Sequence, residues 1–337
     1  MLRTHSWHDL PRIHPLNNPN RPMTRILASG LIAAPLALLP AFASADESAE
    51  IRFATPSWPG VTVKTQLAAE LLEALGYEPS QQEIGATIAY EALNLNEVDA
   101  FMAAWLPAQQ PMYDASMEKD TLVDLGNNVD GALIGFAVPR YVAEAGVKQV
   151  GDLDKPEFAD KFGREIFSIE VGSGMSDTLN EAIDNDTYGL GDWKPVETST
   201  PGMLSAVKNA ISNDEWIVFA GWTPHWMNIE YDVVYLEDTE DMWGPDGGGS
   251  DVRTLLNKPY SEAHPNATRL LDQLTFSADD QSAMIYEFSF EERDPDEVAV
   301  EWINQHPDRI EAFVDGVTTI DGKPAWPALQ EAFDFES

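Results

Sequence analysis

The chain is 337 residues long, carries 57 acidic against 20 basic residues for a net charge of -37, and contains no cysteine. That charge excludes a protein that tracks nucleic-acid phosphates, and the lack of thiols excludes disulfides, a thiolate metal site and a cysteine nucleophile. With 44% hydrophobic residues the chain can still bury a core. Its acidity suits solubility in brine, because at about 1 M salt the Debye length is only about 3 Å.

In chain order, residues 1–45 read as a leader. Met23 and Arg25 precede the apolar stretch Ile26–Leu39, and Ala43, Ser44 and Ala45 form an A-x-A-like site, which is the layout of a secretory signal peptide cleaved after Ala45. Residues 1–22 lie upstream of Met23 and read as an over-extended start. The apolar stretch is short for a membrane span and is interrupted by Pro35, and no later segment is apolar enough to cross a bilayer. A lipid anchor needs a cysteine at the new N-terminus, so the expected product is free in the periplasm.

The mature part opens with a strand over Ile51–Thr55 and a helix from Val61 to Leu75, whose Leu67, Leu71, Leu72 and Leu75 share a face and which Gly76 stops. Further strands are predicted at 82–88, 98–104, 132–138, 165–170, 216–221 and 232–236. Helices are predicted at 88–96, 176–184, 201–212, 262–274, 278–290 and 296–305, the last one started by Asp294–Glu297. Alternating strands and helices indicate an α/β protein with mainly parallel sheets.

Three tryptophans share one context. Trp58, Trp105 and Trp222 each follow a predicted strand, and each has a proline within two residues: Pro59, Pro107 and Pro224. The carboxyl edge of an open α/β sheet is where ligands bind, and indole is the best side chain for holding an organic cation on its π face. Three indoles at strand ends suggest a box for a methylated ammonium head. An anionic tail needs donors. Pro59 suits an early helical position, which leaves the N–H groups of Gly60 and Val61 free for an anion at the positive end of the helix dipole.

Signals for catalysis are weak. There is no H-E-x-x-H, G-x-S-x-G or Walker loop. Ser205–Lys208 matches S-x-x-K without a K-T-G, inside an ordinary amphipathic helix. The glycines of Asp246–Ser250 are flanked by Asp246 and Asp251, which would repel a phosphate. Asp184–Gly189 begins like a calcium loop, but Tyr188 and Pro195 fall where ligands belong. No enzyme activity, metal or cofactor is expected.

Four segments carry a family resemblance: Ser57–Thr65, Ala104–Pro107, Gly221–Asn228 and Trp243–Gly249. With them the chain resembles, over essentially all of 50–333, the glycine betaine/choline-binding proteins of quaternary-amine ABC importers. The resemblance implies a two-lobed periplasmic-binding-protein clamshell (type II). Lobe 1 would comprise 46–129 with 243–337, and lobe 2 would be 130–242. It implies Trp58, Trp105 and Trp222 around the ammonium head. At the carboxylate, beside the N–H groups of Gly60 and Val61, it implies His225, because its family counterpart contacts that group; the alternative for His225 is a turn histidine bonded to nearby backbone. Ser173 is either a polar contact from lobe 2 or a simple turn residue, and Trp226 and Trp243 read as packing residues. Two departures from choline-specific members matter. Their acidic residue two positions after the first tryptophan is Gly60 here, and their extra tyrosine falls near Ile134. Both favour a ligand with a carboxylate: glycine betaine first, with proline betaine, dimethylsulfoniopropionate and choline behind it. The implied partners are that small ligand and an inner-membrane ABC permease with its ATPase, with no nucleic acid and the protein as a monomer. A ligand-sensing module for a membrane receptor is the alternative role.

Overall fold

The computed structural model describes residues 49–336, so the expected leader lies outside the described residues. The first strand, β1 (Glu50–Ala54), leads through Trp58 into α1 (Pro59–Ala74). Val61, Val63, Leu67, Ala68, Leu71 and Leu72 are all buried, so α1 is apolar round most of its circumference and lies inside the molecule. It ends in a Schellman turn: Tyr77 N donates to Leu72 O at 3.0 Å, Gly76 N to Glu73 O at 2.9 Å, and Gly76 takes φ +94°. Then follow β2 (Glu78–Gln82), α2 (Ala86–Asn94), β3 (Ala100–Leu106), α3 (Gln110–Glu118), β4 (Leu122–Asn127), β5 (Val129–Asp130) and β6 (Ala132–Pro139).

The middle of the chain holds α4 (Arg140–Glu144), α5 (Pro156–Ala159), β7 (Glu165–Ser168), α6 (Gly174–Asp184), β8 (Lys194–Glu197), α7 (Thr200–Ser212), β9 (Phe219–Thr223), α8 (Met227–Glu230) and β10 (Val233–Tyr235). The last part holds α9 (Pro245–Gly248), β11 (Gly249–Asn257), α10 (Lys258–Ala263), α11 (Pro265–Gln273), β12 (Phe276–Ser277), α12 (Ala278–Ile285), α13 (Pro295–Gln305), α14 (Pro307–Phe313) and α15 (Ala325–Ala332).

The main sheet runs β2-β1-β3-β11-β6-β9-β7-β8, with β4 on β11 and β10 on β6. It has two similar halves. In the first, β2, β1 and β3 are parallel and β11 pairs antiparallel with β3. In the second, β8, β7 and β9 are parallel and β6 pairs antiparallel with β9. A short antiparallel link, Gly249 with Leu133 and Ser250 with Ala132, joins β11 to β6. The parallel core is the predicted one, and the two antiparallel strands lie where the chain crosses between halves. The late helices return to the first half, where α12 and α13 pack on α1.

The structure moves several predicted elements. The strand expected at 82–88 is β2, which ends at Gln82, and α2 already starts at Ala86. A mostly exposed edge strand reading Glu-Pro-Ser-Gln-Gln has no apolar alternation to reveal it. β11 went unpredicted because glycines and the Asp251/Arg253 charges mask its start, although Val252, Thr254, Leu255 and Leu256 are buried. The helix expected over 262–274 is two helices broken at His264, since Pro265 begins the second. The one expected over 278–290 loosens to a π-turn after Ile285. His264, at the junction that caps both helices, is buried and stacks on Tyr260 at 4.2 Å.

Candidate functional site

Trp105 and Trp222 are the penultimate residues of β3 and β9, inside the strands rather than just after them. Each strand is followed by a cis peptide bond, Leu106–Pro107 and Thr223–Pro224. Trp58 is the residue that precedes the first turn of α1. All three line one cavity. Each strand-borne indole has a branched aliphatic neighbour on the crossing strand: Trp105 is in register with Val252 of β11, and Trp222 with Ile134 of β6. Both aliphatics also line the cavity. Ile134 thus occupies the wall where an additional aromatic was considered.

Hydrogen bonds join the two halves next to the cavity. Trp58 Nε1 donates to Glu170 Oε1 at 2.6 Å, and Thr87 Oγ1 donates to Gly172 O at 3.0 Å. Gly174 sits so near the segment after β3 that a Cβ there would stand 2.4 Å from Ala108 O, which only glycine tolerates.

Gly60 and Val61 line the cavity at the start of α1. Their N–H groups belong to the first helical turn, which has no intrahelical acceptor for them, and no side chain among the described residues caps it. Gln281 of α12 donates from Nε2 to Gly60 O at 2.7 Å, and a Cβ at Gly60 would meet that same Nε2 at 2.8 Å. A glutamine from a distant helix therefore fills the space that a side chain at position 60 would take.

Ser173 lines the cavity too, but its hydroxyl is engaged. It donates to Glu170 O at 2.8 Å and accepts from Ser176 N at 3.2 Å as the N-cap of α6. Ser173 is thus a helix-capping turn residue on the cavity wall, with little hydrogen-bonding capacity left for a ligand.

His225 is the exception among the expected site residues. It is fully buried, is not among the residues lining the cavity, and packs edge-on behind Trp222 at 4.8 Å and beside Trp226 at 5.3 Å. Its Nδ1 accepts the Met227 N–H at 3.1 Å, which puts the ring proton on Nε2. Burial lowers its pKa to about 3, so the ring is neutral. The ring buttresses Trp222, and its Nε2–H, the donor expected for a carboxylate, has no partner among the described residues, although His225 lies outside the cavity lining. Trp226, whose Nε1 donates to Ser289 Oγ at 3.1 Å, and Trp243, edge-on to Phe136 at 5.0 Å, are packing residues as expected.

Three polar residues of the wall escaped sequence reasoning. Gln109 and Gln281 are buried, and the Oε1 of each has no protein partner among the described residues. Lys64 is also buried, one turn along α1 from Gly60 and Val61. The available signal was its place in the stripe Val61–Lys64–Ala68, where a lysine interrupts an otherwise apolar helix face.

Residues 49–305 match the family described as the substrate binding domain of ABC-type glycine betaine transport systems. This chain belongs to that family. Its members bind small quaternary amines and work with an ABC transporter; they are transport proteins rather than enzymes. The glycine betaine/carnitine transport binding protein of Listeria monocytogenes is 30% identical over 168 residues, which is 50% of this chain and 55% of that protein. The glycine betaine/proline betaine-binding periplasmic protein of Salmonella typhimurium is 24% identical across 75% of this chain and 85% of its own length. Among solved structures, an ABC-transporter choline-binding protein in complex with choline superposes with a TM-score of 0.81 at 30% identity, covering 84% of this chain and 98% of that one. The fold is the two-lobed binding-protein clamshell, and this family member is an ABC-importer substrate-binding protein of the glycine betaine/choline group.

Proposed function

We propose that this protein captures a quaternary ammonium solute bearing a carboxylate, glycine betaine first, and hands it to an inner-membrane ABC permease with its ATPase. The observation that carries the reading is that Trp58, Trp105 and Trp222, from three distant segments, wall one cavity that bears no carboxylate side chain among the described residues. A trimethylammonium head cannot donate an ordinary hydrogen bond, so π faces grip it better than an ion pair. Each desolvated cation–π contact contributes about 0.5–2 kcal/mol. Three of them, with burial of the methyls, supply much of the roughly 8 kcal/mol that micromolar binding requires. The free N–H groups of Gly60 and Val61 take the carboxylate. Proline betaine and dimethylsulfoniopropionate present the same two ends.

The choline-bound structural relative makes choline the second reading. Gly60 in place of an acidic residue and Ile134 in place of an aromatic one speak for the zwitterion. The two halves of the sheet support lobes at 46–129 with 243–337 and at 130–242, closing on the ligand. The relatives of Gram-negative origin are described as periplasmic, and the leader-like residues 1–45 support the same compartment, with cleavage after Ala45.

Calorimetric titration with glycine betaine, proline betaine, dimethylsulfoniopropionate, carnitine and choline tests the reading. Saturable binding strongest for a carboxylate-bearing onium is expected. A preference for choline over glycine betaine, or no binding of any onium, contradicts it.

A further inference from the structure

Lys64 is 1% exposed, in a chain with 57 carboxylates, and none of the described residues forms an ion pair with it. Its one hydrogen-bond partner among the described residues is neutral: Nζ donates to Asn128 Oδ1. The amide of Asn128 is pinned by its own donors, which go to Met102 O at 3.2 Å and Thr254 Oγ1 at 2.8 Å, so its oxygen is held toward the lysine. An ammonium has three N–H donors, and Asn128 takes one. Burying a charge without a counter-charge costs several kcal/mol, which a structural role as a single hydrogen-bond donor to an amide does not explain.

The place of this lysine suggests what completes it. Lys64 lines the tryptophan cavity and is the one ionisable side chain among the described residues that do so. It lies three and four positions after Val61 and Gly60, hence on the same face of α1, and helical side chains lean toward the N-terminus, over the turn that carries those two free N–H groups. Burial alone lowers its pKa, to about 7, with no charged neighbour contributing. A carboxylate arriving beside it would favour the charged form.

We propose that Lys64 is the built-in counter-charge for the carboxylate of the ligand and the residue that sets selectivity for zwitterionic oniums over cationic ones. This rests on the onium reading of the cavity and adds a fixed polarity to it. In its charged form, which the carboxylate favours, Lys64 attracts the tail, and it repels a ligand whose only charge is its head. The ligand therefore enters head toward the indoles and tail toward α1, and choline, with a hydroxyl at its tail, has nothing to offset the lysine.

The test measures glycine betaine and choline affinities by calorimetry for the wild type, Lys64→Met and Lys64→Gln. Methionine matches the length and removes a buried charge, and glutamine keeps a donor for Asn128 without the charge. In both variants the ratio of glycine betaine to choline affinity should fall at least tenfold. Equal losses for both ligands, or no change for either, overturn the role of Lys64 and leave the onium reading standing. A wild-type protein that binds neither ligand overturns both.

Discussion

The two halves of the sheet are built alike and equipped differently. Each sets a tryptophan at the end of a strand, β3 or β9, beside a branched aliphatic on a crossing antiparallel strand, Val252 or Ile134. The first half and its helices then add the polar groups of the wall: Gly60, Val61, Lys64, Gln109 and Gln281. The second half adds Ile169, Met175 and Pro224, with Ser173 already spent as a helix cap. The difference assigns roles. On the proposed reading, the first half brings two of the three indoles together with the groups that read charge and hydrogen bonding, and the second half closes the box with the third indole and an apolar wall that excludes water.

Substitutions can separate these roles. The largest effect is expected for Trp222→Ala in the second half. Losing one desolvated cation–π face and its buried area should weaken glycine betaine and choline alike by at least tenfold, a factor worth about 1.4 kcal/mol; unchanged affinity in calorimetry would remove the cover from the account. Gly60→Asp in the first half should act more weakly and in opposite directions. The new side chain displaces Gln281 Nε2, which a Cβ there would meet at 2.8 Å, and sets a negative charge beside the carboxylate subsite. Glycine betaine affinity should drop by roughly three- to tenfold while choline affinity rises, since like charges repel and the cationic head gains a partner. Parallel changes for the two ligands would show that the halves are not specialised as described.

The same contrast explains what the sequence reveals. The Trp105 and Trp222 strands announce themselves, because an apolar run, an indole and a proline lie within a few residues of one another. The pairing between β3 and β11 does not, because β11 starts among glycines and charges and joins residues far apart in the chain. Gln281 is equally hidden: it reaches Gly60 across 221 positions, and nothing local marks it. Lys64 was legible only as an anomaly in an apolar stripe, since a lysine on a helix ordinarily reads as surface. His225 was assigned by resemblance, and no local pattern reveals that its ring packs buried against Trp222 with its Nε2–H unpaired among the described residues.

The most direct measurement is a crystal structure of the protein with glycine betaine. The account predicts the trimethylammonium group in van der Waals contact with the faces of Trp58, Trp105 and Trp222, and the carboxylate within hydrogen-bonding distance of the Gly60 and Val61 amides and Lys64 Nζ. A ligand bound away from the three indoles, or one seated with its carboxylate toward Trp222, would contradict it.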